Sequence, residues 1–258
     1  MLGGASAYHR EVHRALVAAG MAIALTACGS SAQPTATSSS PTAAPTGSTP
    51  ATPFPTAAPS PTSTPSPTAD TEQVTVTASG VGAHYLQAIP VAVLHNQATS
   101  HTATEVVAHF TVHHPGGTFA LDAAPVALAP GETLAVAALC TDSCQGATST
   151  EVNVGVGGWS PGPAPAVLTA AGGTYACGSP CGGGGGYTGA VTGTLSGALG
   201  AGTLVNLFVA CSDGAGAIVG GGVTQRLWPG GGAAVNVSVP VLVSSLPASC
   251  QLYGAAAE

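Results

Sequence analysis

From residue 71 onward the apolar positions fall into short runs, and no stretch of eleven residues keeps a helical period. Valine and alanine dominate the runs, and glycine or proline separates them. The pattern predicts strands over 74–78, 89–94, 105–112, 133–139, 151–156, 189–195, 204–211, 217–223, 233–243 and 250–253. Many short strands at close spacing indicate an all-β sandwich or barrel. In the run 105–113, alternation places Val106, Ala108, Phe110 and Val112 on one face and Val107, His109, Thr111 and His113 on the other. The first set is the apolar one and reads as core, so His109 and His113 should meet solvent.

Two segments resemble one another. Residues 105–113 (EVVAHFTVH) align with 203–211 (TLVNLFVAC), which sets Phe110 over Phe208. About twenty residues later Pro130-Gly131 aligns with Pro229-Gly230, and an alternating strand follows each pair. The two separations differ by one residue, which points to a duplicated β unit. The expected organisation is two small β-sandwich domains, 71–160 and 187–258. The stretch 161–186, with Cys177, Cys181 and the glycine run 182–186, is expected to link them. The second copy, through GAVTGTLSG (189–197), LVNLFVACSDGAGAIVGG (204–221) and LWPGGGAAVNVSVPV (227–241), resembles the FxLYD-type immunoglobulin-like domain of bacterial secreted and lipid-anchored proteins. Asp213 and Gly216 occupy that family's hairpin positions, and Pro229-Gly230 precede its alternating strand. The first copy departs from it, with His113-His114-Pro115-Gly116-Gly117 in place of the aspartate turn. The resemblance implies a small sandwich without catalytic residues and a role in interaction or envelope structure.

The N-terminus changes the picture from domain to address. Arg10 and Arg14 precede an apolar run over 15–27, too short to span a bilayer and of the length of a secretory signal. The run ends in Leu25-Thr26-Ala27-Cys28, which resembles the lipobox of bacterial lipoproteins. That resemblance implies a cleaved signal peptide 1–27, lipidation of Cys28 and anchoring at the outer face of the cell membrane. Residues 29–70 hold ten prolines, ten threonines and nine serines, too little apolar surface to offset ordering entropy. Residues 28–70 therefore read as a disordered tether, with an upper reach of roughly 130 Å in polyproline II.

Composition then removes most chemistries. The chain has no lysine, and beyond Cys28 Arg226 is its sole arginine. A nucleic-acid binder needs a basic stripe, and phosphoryl transfer needs cationic clamps or a metal. Seven cysteines leave six beyond Cys28, an even set that outside the cell reads as disulfides: Cys140, Cys144, Cys177, Cys181, Cys211 and Cys250. Of the fifteen pairings, the simplest joins the two C-x-x-x-C pairs locally and Cys211 to Cys250.

Gly158-Trp159-Ser160-Pro161-Gly162 matches the nucleophile elbow of hydrolases. However, Pro161 has no N–H for an oxyanion hole, and no histidine follows His114. Carboxylates are scattered, and Trp159 and Trp228 are the only tryptophans for stacking a sugar. All six histidines beyond the signal lie between His84 and His114. His109 and His113 stand roughly 13 Å apart along one strand, too far to share a metal, while His113-His114 are adjacent. The expected function is a non-enzymatic, lipid-anchored structural or binding module of the envelope, without cofactor. Its partners would be the membrane through the lipid anchor, with an envelope glycan or protein, and not nucleic acid. The alternative is a metal- or haem-binding surface lipoprotein using the 84–114 histidines, with His109, His113 and His114 as candidate ligands.

Overall fold

The computed structural model describes residues 70–141, 144–162, 168–179, 181–182 and 185–257. The expected signal segment 1–27, Cys28 and the expected tether as far as residue 69 lie outside them. Among the described residues there is no helix. The strands are β1 (Val74–His84), β2 (Gln87–Asn96), β3 (His101–His114), β4 (Gly117–Asp122), β5 (Val126–Leu128), β6 (Thr133–Ala137) and β7 (Ser149–Pro161). They continue as β8 (Thr169–Cys177), β9 (Tyr187–Ser196), β10 (Leu204–Ser212), β11 (Ile218–Leu227), β12 (Val235–Val243) and β13 (Ser249–Ala256). The chain is all-β, as its periodicity indicates. Strands β4, β5 and β8 carry no clear alternation and go beyond the expected runs. Strand β8 falls inside the stretch expected to be a linker and pairs with β9 along its whole length. Small residues and a bulge at Gly172 and Gly173, with φ of 81° and 153°, hide its period.

All pairings are antiparallel and repeat one order. Strands β1-β2-β6 form one sheet, and β3 is flanked by β4 and β5 on one side and β7 on the other. The third sheet runs β13-β10-β11-β12-β9-β8. In it β11 and β12 pair only through Gly220↔Val243 and Gly221↔Leu242, so it is two three-stranded sheets joined at a corner. The set β1-β2-β6 with β4-β3-β7 thus recurs as β8-β9-β12 with β11-β10-β13, β5 being extra.

One hydrophobic cluster gathers Val106, Ala108, Phe110 and Val112 of β3 with Ala92, Leu94, Leu134 and Val136 of the β1-β2-β6 sheet. A second gathers Val205, Leu207, Val209 and Cys211 of β10 with Val191, Leu195, Val237, Val239 and Trp228. The faces of β10 correct the alignment of Phe110 over Phe208. Phe208 and Ala210 point away from the second cluster and join the first, together with Leu242 and Ala255. Because side chains alternate, matching the two phenylalanines is one residue out and swaps the faces.

The described residues from 70 onward fall in one compact unit, and the two sets of strands meet directly. Strand β2 is buried along both faces. Phe208 is fully buried between the sets, a burial that stabilises by roughly 1.5–3 kcal/mol. Glycines bring the backbones together. A Cβ at Gly80 would strike the Ile218 carbonyl, one at Gly82 the Leu242 carbonyl, and one at Gly186 the Ala83 carbonyl. The layers therefore stack in the order β4-β3-β7, β1-β2-β6, β13-β10-β11 and β12-β9-β8.

Candidate functional site

The three cysteine pairs are Cys140–Cys144, Cys177–Cys181 and Cys211–Cys250, each at disulfide distance. The last joins register partners on β10 and β13, and in the chain-entropy treatment its closed loop of 39 residues stabilises by about 4 kcal/mol. No cysteine among the described residues is left as a thiol.

The histidines divide between two sheets, His84 and His95 on β1 and β2 and the other four on β3. His109 Nδ1 lies 2.7 Å from Asp122 Oδ1 on β4, and His113 Nε2 lies 3.2 Å from Glu151 Oε1 on β7. Both side chains are at least one-third exposed. His114 Nδ1 instead accepts the Gly116 N–H across the turn at 3.2 Å. His95 meets the Thr133 hydroxyl at 3.0 Å, and the His84 ring packs edge-on against Tyr85. Each histidine has a partner of its own, and strand geometry keeps the partners apart. Among the described residues no three His, Cys, Asp or Glu side chains converge as a metal-binding set.

A tighter polar cluster sits just ahead of β1, around Asp70. Asp70 accepts hydrogen bonds from Thr99 N (2.7 Å), Thr99 Oγ1 (3.1 Å), Ser100 N (3.0 Å) and Ser100 Oγ (2.6 Å). His101 Nδ1 approaches it at 3.0 Å. The Ser100 hydroxyl first, then the Thr99 amide and His101, hold the Asp70 carboxyl well below the usual carboxylate range. Asp70 stood at the end of the expected tether, and its role was not visible there because its partners lie some thirty residues away.

The remaining motifs resolve into structure. Ser160 lies within β7, paired with Thr102 of β3, so Gly158–Pro161 is strand and no elbow precedes a helix among the described residues. Trp228 is 1% exposed in the second cluster, and among the described residues its Nε1 has no hydrogen-bond partner, so it cannot stack on a ligand. Trp159 packs against the first cluster.

One broad concavity was not marked by any motif. A trough of about 590 Å³ runs across the outer face of β8, β9 and β12, lined by Ala171, Gly172, Thr174, Thr192, Thr194, Asn236 and Ser238 among others. None of its lining residues is charged. The only sequence signal is the alternation Thr192-Gly193-Thr194 on β9. No family model matches this chain, and neither a curated protein nor a solved structure matches it.

Proposed function

We propose that this chain is a lipid-anchored, extracytoplasmic, non-enzymatic binding or structural module of the bacterial cell envelope. The observation that carries the reading is the cysteine arithmetic. Three disulfides use six of the seven cysteines, and the one left over is Cys28, in the lipobox position after the apolar run. Disulfides persist in oxidising compartments, which agrees with export. The Asp70 clamp adds a mechanical element, because it fixes the point where a Pro/Thr/Ser tether would hand over to the folded unit. The module is displayed at the end of the tether and works through its surface. The likeness to FxLYD-type domains supports the same class of role.

Cys28→Ser tests the anchor. In a lipoprotein-processing host, the wild-type chain should fractionate with membranes and gain the mass of its acyl chains. The serine variant should lose both, because firm anchoring takes two or more chains. A serine variant that stays with membranes and carries the same lipid mass rejects the proposal.

A further inference from the structure

We propose that the outer face of β8, β9 and β12 binds an uncharged glycan chain; this rests on the envelope-module reading and names its ligand class. The first observation is positional. In the first set of strands, the equivalent sheet β1-β2-β6 has its outer face covered by β10 and β11 of the second set. That covered face presents Val91, Val93, Ala135 and Ala137, which share one side of the register. A face of this kind is thus a docking face within this molecule, and its apolar content suits a protein surface.

The second observation is chemical. At the corresponding face of the second set, the register aligns Thr174, Thr192 and Ser238 in one row and Ala171, Thr194 and Asn236 in the next. Neighbouring strands lie ~4.8 Å apart and the rows roughly 6.7 Å apart, so hydroxyl and amide groups form a grid. Thr194 Oγ1 donates to the Ala171 carbonyl at 3.4 Å. The side chains of Thr174, Thr192, Ser238 and Asn236 make no hydrogen bond to protein among the described residues, so their polar groups face outward and are accessible to a ligand. Gly172, at φ 81°, lines the trough beside them.

Charge then selects the ligand. The trough has no lysine, arginine or histidine to hold phosphate, sulfate or uronate, and no acid to hold a cation. Arg226 reaches its margin but donates Nη1 to the Asn236 carbonyl at 3.0 Å. An apolar partner would strand the hydroxyls without hydrogen bonds. A neutral chain of hydroxyls fits, since each hydroxyl both donates and accepts. Small side chains leave it room to lie flat.

Affinity electrophoresis of the full chain tests this, with dextran, mannan or mixed-linkage β-glucan in the gel and hyaluronate as the anionic control. At least one neutral polymer should retard the protein and hyaluronate should not. The double variant Thr192→Val, Ser238→Ala removes two hydroxyls at exposed positions without adding bulk. It should keep the wild-type melting temperature and bind about tenfold more weakly. A second variant, Thr194→Asp, should abolish retardation by placing an unpaired charge in the trough. No retardation by any neutral polymer, equal retardation by hyaluronate, or wild-type binding by both variants overturns the inference. A chain that fractionates with membranes yet runs unretarded fails this inference alone. One that is retarded but never membrane-associated fails the anchor reading alone.

Discussion

Asp70 is a single side chain with a large structural reach, because it ties residue 70 to Thr99, Ser100 and His101 on the far side of β1 and β2. A carboxylate held below its ordinary range stabilises the folded chain at any pH above the unfolded value. That contribution is lost as pH falls from about 4 toward the depressed folded value. Glu132 acts in the opposite sense. Burial raises its carboxyl despite the Ala129 N–H bond, so its protonation in acid favours the fold. The difference between wild type and Asp70→Asn therefore isolates Asp70. Its expected signature is faster amide exchange at 71–73 and 98–101 at pH 7, with the wild-type and variant melting temperatures converging below pH 3. Equal exchange at pH 7 would show that the clamp does not hold the junction. None of this was legible from composition, since an aspartate after a Pro/Thr/Ser run looks like the tether's last residue. The cysteines were legible, because two share a short spacing in each local pair and the remaining two had only each other.

Strands reveal themselves in sequence where one face is apolar and the other polar, as on β3, where Val106 and Phe110 are buried and His109 is exposed. They stay hidden where both faces carry small residues, as on β8, or where the strand is only three residues long, as on β5. Strand β10 shows the opposite failure. Its buried run Val205–Cys211 has core on both sides, so no alternation marks which face belongs to which cluster. The same double burial explains the glycines of β1. Gly82 has an ordinary φ, so alanine there is limited by space alone, and its Cβ would fall on the Leu242 carbonyl of β12. Gly131 is the converse, with φ 68° and open space around it. Gly82→Ala should cost roughly 1–3 kcal/mol in urea melts and speed amide exchange at both β1 and β12. Gly131→Ala should cost about 1–2 kcal/mol through backbone strain, with its exchange changes confined to the turn. Matching exchange patterns in the two variants would mean that Gly82 does not set the approach of the two strand sets.

At the scale of the whole molecule, the question is whether two repeated sets of strands behave as two domains or one. The second cluster is drawn wholly from residues 168–252, which taken alone would favour independence. The first cluster decides otherwise, because it needs Phe208, Ala210, Leu242 and Ala255 to cover the outer face of β1-β2-β6. Unfolding the second set would expose Val91 and Ala135, both 0% exposed, so the first set would lose part of its own core. The outer ends of the stack carry histidine–carboxylate pairs on one side and the threonine grid on the other, so only the inner faces are apolar enough to join. Cooperativity should follow the shared cluster. Calorimetry of the full chain should give a single transition for the folded unit that begins at residue 70, with an enthalpy of roughly 130 kcal/mol near 60 °C and a van't Hoff value close to the calorimetric one. Independent sets would instead give a van't Hoff enthalpy about half as large, or two resolved peaks. That outcome in the wild-type chain would show that Phe208 and its neighbours touch the first cluster without coupling to it. In Gly82→Val, where a larger side chain pushes the sheets apart, the peak should broaden or split, since the second cluster stays intact after the shared one is breached.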